Sequence, residues 1–177
     1  MRNINEDFNL THDNITAVRE SDLVIIAVKP WRVQSVIEEI RPVLQFDKQI
    51  IISIAAGVTF EQLNSHLKKS IASKVQVNPV IFRVMPNTAI EVKSSLTFIS
   101  ACNASEDQIN LVLSIFNELG KAILIEERLM EAGTALASSG IAFALRYIRA
   151  AIEGGVELGF YPVSYTHLRA HETLANL

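Results

Sequence analysis

The sequence has very little cysteine, and this excludes two kinds of cross-linked site. Cys102 is the only cysteine among 177 residues, so an internal disulfide and a cysteine-based zinc site are both excluded. A single thiol fits a reducing compartment such as the cytoplasm. His167 and His171 lie four residues apart, but no carboxylate stands between them as in helical zinc sites, and we predict no metal site.

An excess of charge of one sign and long apolar runs are also lacking. The sequence has 16 Lys and Arg against 19 Asp and Glu, a formal net charge of −3. Such a balance provides no basic surface for nucleic acid or for an anionic membrane. No uninterrupted apolar run approaches the ~18 residues of a membrane span, and Met1–Asp7 lacks the apolar centre of a signal peptide. We therefore expect a cytoplasmic protein without nucleic-acid or membrane partners.

A Gly-x-Gly-x-x-Gly triplet, which holds a dinucleotide pyrophosphate at a helix N-terminus, is missing. Gly154, Gly155 and Gly159 lie near the far end, after a helical pattern. Residues 1–13 are polar and resemble the middle of a fold. We therefore expect that the front of a nucleotide-binding domain is absent, rather than that its glycine loop has degenerated.

What the sequence does contain is an alternation of apolar strands and helices. Hydrophobic residues make up 49% of the chain, enough for a core. The apolar stretches in Asp22–Val28 and Gln49–Ala56 are typical of parallel strands buried on both faces. Val80–Thr88 predicts a third strand that ends at Pro86 and then presents Asn87. The pattern predicts an open α/β sheet, which binds ligands beyond the carboxyl ends of its strands.

Helix caps and periodicity predict the remaining elements of the sheet. Thr59 with Gln62 forms a capping-box pattern ahead of a helix that extends to about Lys69, and Ser105 with Gln108 forms another ahead of the next helix. The other predicted elements are helices at Asn14–Ser21 and Trp31–Ile40, an antiparallel strand at Leu96–Ser100 and a short strand at Ala122–Ile125.

Residues 128–155 predict a long helix, because they contain no proline and no strong turn signal. Gly133, Ala137, Gly140 and Ala144 fall three or four residues apart. On a helix they would form a smooth seam that another helix could approach closely. A broken helix is the alternative.

Several motifs occur in a fixed order and together resemble one enzyme family. Ala27–Pro30 (Ala-Val-Lys-Pro), Ser53–Thr59 (Ser-Ile-Ala-Ala-Gly-Val-Thr) and Arg83–Thr88 (Arg-Val-Met-Pro-Asn-Thr) end the three strands. Thr134–Gly140 and Glu153–Gly159 follow on the long helix. Over roughly residues 14–162 this series resembles pyrroline-5-carboxylate reductase, the last enzyme of proline biosynthesis.

The resemblance implies a truncated Rossmann-type dinucleotide-binding sheet at residues 1–126 and the start of an all-helical dimerisation domain at residues 127–162. Residues 163–177 look like translated adapter or vector sequence and are left out of the fold. The implied reaction is NAD(P)H-dependent hydride transfer to the C=N bond of 1-pyrroline-5-carboxylate, giving L-proline. The implied cofactor is NADP, with NAD as the alternative, and the implied assembly is a homodimer or larger homo-oligomer. Without its glycine loop, the chain itself is expected to be inactive.

The resemblance also implies a set of site residues. The cofactor-binding residues are Ala27, Val28, Lys29, Pro30, Ala55, Ala56, Gly57 and Asn87. Thr134, Ser139 and Gly140 would bind the substrate carboxylate, with Thr134 and Ser139 as catalytic candidates in a proton relay. The chain departs from the family's Thr-Ala-Leu-Ser-Gly-Ser-Gly-Pro run by having Ala137, Ser138 and Ile141 in place of Ser, Gly and Pro.

The residues alone leave simpler roles open. Lys29 would also suit a solvated loop, and Asn87 a turn after a proline. Thr134 and Ser139 would also suit a helix-packing surface.

Two other functions are also open. One is a non-catalytic oligomerisation or binding module, which a nucleotide titration would separate from an active enzyme. The other is a hydroxy-acid dehydrogenase with the same Rossmann-plus-helices plan. Such enzymes usually place a lysine on the long helix, and residues 130–161 contain none.

Overall fold

The computed structural model describes residues 9–68 and 78–160 of the chain. It divides the chain into two compact units, Met1–Gly133 and Thr134–Leu177. The predicted tail at 163–177, with His167 and His171, lies outside the described residues, as does the predicted end of the third helix near residue 69. The predicted domain boundary after residue 126 stays a prediction.

The first unit contains a five-stranded sheet in which the strands follow chain order. The strands are β1 (Leu23–Ile26), β2 (Ile50–Ser53), β3 (Val80–Met85), β4 (Ser95–Cys102) and β5 (Gly120–Leu124). The first three run parallel, β4 is antiparallel to β3, and β5 is parallel to β4. The predicted α/β class and the predicted antiparallel strand are both confirmed.

Helices connect and cover the strands. They are α1 (Asn14–Arg19), α2 (Val33–Ile40), α3 (Phe60–Lys68), α4 (Glu106–Asn117), α5 (Met130–Gly133) and α6 (Gly140–Glu157), with short 3-10 turns at Pro30–Arg32, Arg41–Val43, Thr88–Val92 and Glu127–Leu129. Both predicted capping boxes are present. The Thr59 hydroxyl accepts from the Gln62 N–H at 3.2 Å while Gln62 Oε1 accepts from the Thr59 N–H at 3.0 Å, and Ser105 pairs with Gln108 in the same way.

The sheet is buried on both faces at its centre. On one face Ile26, Ile51 and Ile81 pack against α2 and α3, and on the other Phe82 and Ile99 pack against α4. All four residues of β2 are consequently buried, as the sequence predicts.

The prediction that β1 is buried on both faces is wrong. Ile25 is 51% exposed. In the described part of the chain β1 lies at the edge of the sheet and pairs only with β2. Sequence reasoning fails here because an apolar strand carries no signal for its position within the sheet.

The predicted long helix is interrupted by a change of helical type. One turn of π-helix, Thr134–Ser139, separates α5 from α6. At the first position of the predicted seam, a Cβ on Gly133 would lie 2.8 Å from the Phe98 ring. Gly133 therefore accommodates an aromatic side chain of β4 rather than another helix. By length and composition alone, the helical stretch Glu127–Glu157 is apolar enough to cross a membrane, a criterion that helices of water-soluble proteins also meet.

Candidate functional site

The carboxyl ends of β1, β2 and β3 meet at one edge of the sheet. The three strands are parallel and in register, so Ile26 lies beside Ser53, and Ser53 beside Arg83. The loops that leave these ends contain all of the predicted cofactor residues, Ala27, Val28, Lys29, Pro30, Ala55, Ala56, Gly57 and Asn87. Open α/β sheets bind ligands at this kind of edge.

The loop after β1 presents a positive charge to solvent. Lys29 is exposed and precedes a 3-10 turn that begins at Pro30. The Arg32 N–H donates to the Lys29 carbonyl at 2.8 Å, which fixes the backbone of the turn. The ammonium group of Lys29 is thus available to an anionic ligand.

The loop after β2 presents backbone rather than large side chains. Ala55 is buried, whereas Ala56 and Gly57 are exposed. Gly57 has φ +75°, a conformation that residues with a Cβ rarely adopt. Val58 then turns into the core, and α3 begins two residues later at Phe60. The small residues leave room for a ligand to approach the backbone of this turn.

The loop after β3 is built on buried hydrogen bonds. Asn87 is only 8% exposed, and its N–H donates to the Ser95 hydroxyl at 3.1 Å. The Ser95 hydroxyl also lies 3.0 Å from that of Thr97. The Asn87 side-chain oxygen accepts from the Ala89 N–H at 3.0 Å and caps the following 3-10 turn. Asn87 therefore forms the turn that its residue type favours, and its role at the cofactor stays a prediction.

Sequence reasoning missed a partly buried ion pair behind this edge, in which Arg83 is buried and the Glu127 side chain is 36% exposed. The Arg83 side chain, 8% exposed, places Nη1 2.8 Å from Oε1 of Glu127. The same oxygen accepts from the Phe60 N–H at 2.6 Å, and the Arg83 guanidinium lies 6.0 Å from the centre of the Phe60 ring. We call Arg83, Glu127 and Phe60 the Glu127 junction. The available signal was a charge inside an apolar strand, since a buried charge requires a partner.

The predicted substrate residues all lie in the second unit. Thr134 and Ser139 are the first and last residues of the π-helical turn, and Gly140 is the first residue of α6. Helical residues precede them from Met130 onwards, so these residues lie inside the helical stretch rather than at its N-terminus. Their backbone N–H groups are therefore placed to donate to carbonyl groups of the preceding helical turn rather than to a ligand. Single π-helical turns frequently occur at functional sites.

Comparison with known proteins supports the interpretation of the motifs. Residues 2–57 match a family described as NADP oxidoreductase, coenzyme F420-dependent. A pyrroline-5-carboxylate reductase from Methanosarcina acetivorans is 35% identical over 163 residues, which cover 92% of this chain and 57% of that protein. The resemblance to the pyrroline-5-carboxylate reductases is confirmed.

Two solved pyrroline-5-carboxylate reductases share the fold. The structure from Coxiella burnetii has a TM-score of 0.79 at 31% identity and covers 93% of this chain and 59% of its own. The structure from Plasmodium falciparum, determined with NADP bound, has a TM-score of 0.79 at 25% identity and covers 97% of this chain and 62% of its own. The predicted Rossmann-type class is thereby confirmed. The chain spans only 29% to 57% of the length of the curated reductases it matches.

Proposed function

We propose that this chain carries part of the nucleotide half and the beginning of the substrate half of a pyrroline-5-carboxylate reductase. The reaction would be NADPH-dependent reduction of the C=N bond of 1-pyrroline-5-carboxylate to give L-proline. The observation that carries the proposal is the similarity to reductases over most of the chain, at 31% identity and with the same fold in the Coxiella burnetii structure.

The carboxyl edge of the sheet suits an anionic dinucleotide. The exposed ammonium group of Lys29 offers a positive charge, and the exposed backbone at Ala56 and Gly57 offers polar groups without bulky side chains. NADPH, with NAD(H) as the alternative, would lie along the loops that contain these residues and Asn87. When bound, it supplies the hydride, while the protein binds, orients and excludes water.

Thr134, Ser139 and Gly140 are proposed to bind the substrate. The carboxylate of the cyclic imine needs hydrogen-bond donors, which hydroxyl groups provide without a charged side chain. Ser139 is exposed and Thr134 half-buried, so both are accessible within their own unit. We assign Thr134 and Ser139 to hold the substrate and to relay the proton that the ring nitrogen requires.

The assembly is proposed to be a homodimer or larger homo-oligomer in the cytoplasm. Support comes from α6, on which Phe143, Leu145, Tyr147 and Ile148 are exposed large apolar residues. A second copy covering this surface would remove apolar area from water, which favours association.

The test of the proposed reaction is a chimera with the Coxiella burnetii reductase. Residues 14–160 of this chain would replace the structurally matching segment, and NADPH consumption with 1-pyrroline-5-carboxylate would be followed together with proline formation. We expect turnover to be retained. A chimera that folds and binds NADPH but forms no proline would refute the proposed substrate. Failure of both the chimera and the isolated chain to bind NADPH would favour a non-catalytic module.

The assignment of Thr134 is tested in the same chimera by Thr134→Ala. If its hydroxyl contacts the substrate, kcat/KM should fall by about tenfold or more, the usual effect of losing a polar contact in a binding site. Thr16→Ala is the matched control, because Thr16 is an exposed threonine on α1, outside the loops and the helical turn that contain the predicted cofactor and substrate residues. An unchanged kcat/KM for Thr134→Ala would show that Thr134 only packs in the helix.

A further inference from the structure

The Glu127 junction joins three segments of the first unit through a single oxygen atom. Oε1 of Glu127 accepts from Nη1 of Arg83 on β3 and from the N–H of Phe60 at the start of α3. Glu127 itself lies in the 3-10 turn after β5. A carboxylate that receives one charge-assisted bond and one backbone bond holds both donors at short range.

The backbone bond matters because the first N–H groups of a helix have no partner within the helix. At the start of α3, Gln62 satisfies the Thr59 N–H, and Glu127 satisfies the Phe60 N–H. Glu127 therefore acts as a cap contributed from a distant part of the chain. It holds the first residue of α3, beside the capping box formed by Thr59 and Gln62.

The start of α3 in turn fixes the loop after β2. Only Val58 and Thr59 separate Gly57 from Phe60. Val58 is buried, so this short connection has little freedom once Phe60 is held. The position of Ala56 and Gly57 thus depends on the Glu127 junction.

We infer that Glu127 is a positioning residue for the turn at Ala55–Gly57, acting through the Phe60 N–H and held in place by Arg83. The inference rests on the proposed function, in which this turn lies against the nicotinamide cofactor. In the described part of the chain, Oε1 of Glu127 bonds to Arg83 and to Phe60, neither of which is a predicted cofactor residue. Its effect on nucleotide binding would be transmitted entirely by the first turn of α3.

The chain offers a matched control in the neighbouring carboxylate. Glu126 pairs with Arg128, and both side chains are well exposed. Glu126→Gln removes the same charge one residue away without affecting Arg83 or Phe60. Glu127→Gln keeps the size of the side chain but removes the charge that Arg83 requires.

Amide hydrogen exchange and NADPH titration of the full chain test the inference. The neutral amide oxygen of Glu127→Gln is a weaker acceptor than the carboxylate, so we expect about tenfold faster exchange in residues 55–60 and about tenfold weaker NADPH binding, the scale of replacing a charged hydrogen bond by a neutral one. Both quantities should be unchanged in Glu126→Gln. A merely structural role would lower the melting temperature but leave the NADPH affinity of the folded chain unchanged.

A double variant tests whether Arg83 acts through Glu127. The double variant Arg83→Met with Glu127→Gln should bind NADPH with the same affinity as whichever single variant binds it more weakly. The losses should not add, because both substitutions break the same ion pair. If the two losses of NADPH affinity add, Arg83 does not act through Glu127. If Glu127→Gln does not fold, Arg83→Lys, which keeps the positive charge, should give a smaller effect of the same sign.

The outcomes separate this inference from the proposed function. Unchanged exchange at residues 55–60 in Glu127→Gln would overturn the positioning role. Faster exchange with unchanged NADPH affinity would overturn the link to nucleotide binding. If neither the unsubstituted chain nor its chimera with the Coxiella burnetii reductase binds NADPH, the proposed function fails and so does that link, while the exchange measurement still decides whether Glu127 holds the turn.

Discussion

The first unit, or sheet unit, buries many of its large apolar side chains, whereas helix α6 exposes most of them. Phe82 on β3 is fully buried between β2, β4 and α4, whereas Phe143 on α6 is 73% exposed. Of the 18 residues in α6, only Gly155 is buried. Both regions are rich in apolar residues, but only the sheet unit buries them against its own strands and helices.

This contrast indicates where each region obtains its stability. Burial of apolar side chains is the main favourable contribution to folding, and most helices depend on tertiary packing rather than on helix propensity. The sheet unit therefore holds itself together. Helix α6 has an apolar surface that a partner would have to cover, in agreement with the proposed homo-oligomer.

The largest expected effect comes from removing the same side chain in each region. Phe82→Ala should lower the free energy of unfolding by about 3–5 kcal/mol, because it leaves a cavity in the sheet core. Phe143→Ala should change it by less than about 0.5 kcal/mol, since the ring is exposed. Urea unfolding of both variants at one fixed protein concentration measures both.

A larger loss for Phe143→Ala would contradict the contrast as stated. Repeating the measurement at about tenfold lower protein concentration then identifies the cause, because stability that depends on association changes with concentration. A loss that disappears on dilution would show that a second copy covers the ring. A loss that persists would show that the ring is buried within one chain.

Local sequence signals predicted much of the sheet unit. In each capping box the two partners are only three residues apart, as in Thr59 with Gln62 and Ser105 with Gln108. Capping could therefore be inferred without tertiary information. The unbroken apolar segment that contains β2 likewise predicted a strand covered on both faces. These features depend on neighbours along the chain.

Features that depend on distant neighbours could not be predicted. Arg83 lies 44 residues from Glu127 in sequence, and nothing in the apolar strand around it identifies that partner. The exposure of Ile25 depends on which strands pair beside β1. The π-helical turn at Thr134–Ser139 depends on how the backbone adjusts inside the helix, and its six residues, which are all small or apolar, carry no local signal for it.

The next largest effect is expected at Gly120, where β5 packs closely against the backbone of β4. Gly120 begins β5 with φ +141°, and a Cβ there would clash with the backbone of Ser95. Gly120→Ala should therefore lower the free energy of unfolding by about 1–3 kcal/mol, the range for local backbone strain. Thermal unfolding followed by circular dichroism measures the loss. A change of less than about 0.5 kcal/mol would show that the β4–β5 pair shifts easily.

The smallest expected effect has the opposite sign and lies in the other region. Gly154 is inside α6, and a Cβ there would meet no atom within 4 Å. Gly154→Ala should therefore stabilise the helix by about 0.5–1 kcal/mol, because it removes the entropy cost of glycine without a clash. Ala150→Gly, at another exposed position of α6, should lose a similar amount. Helical ellipticity at increasing temperature measures both variants. If Gly154→Ala instead destabilises the chain or reduces its association, the open space beside Gly154 is filled by a partner that approaches the helix backbone.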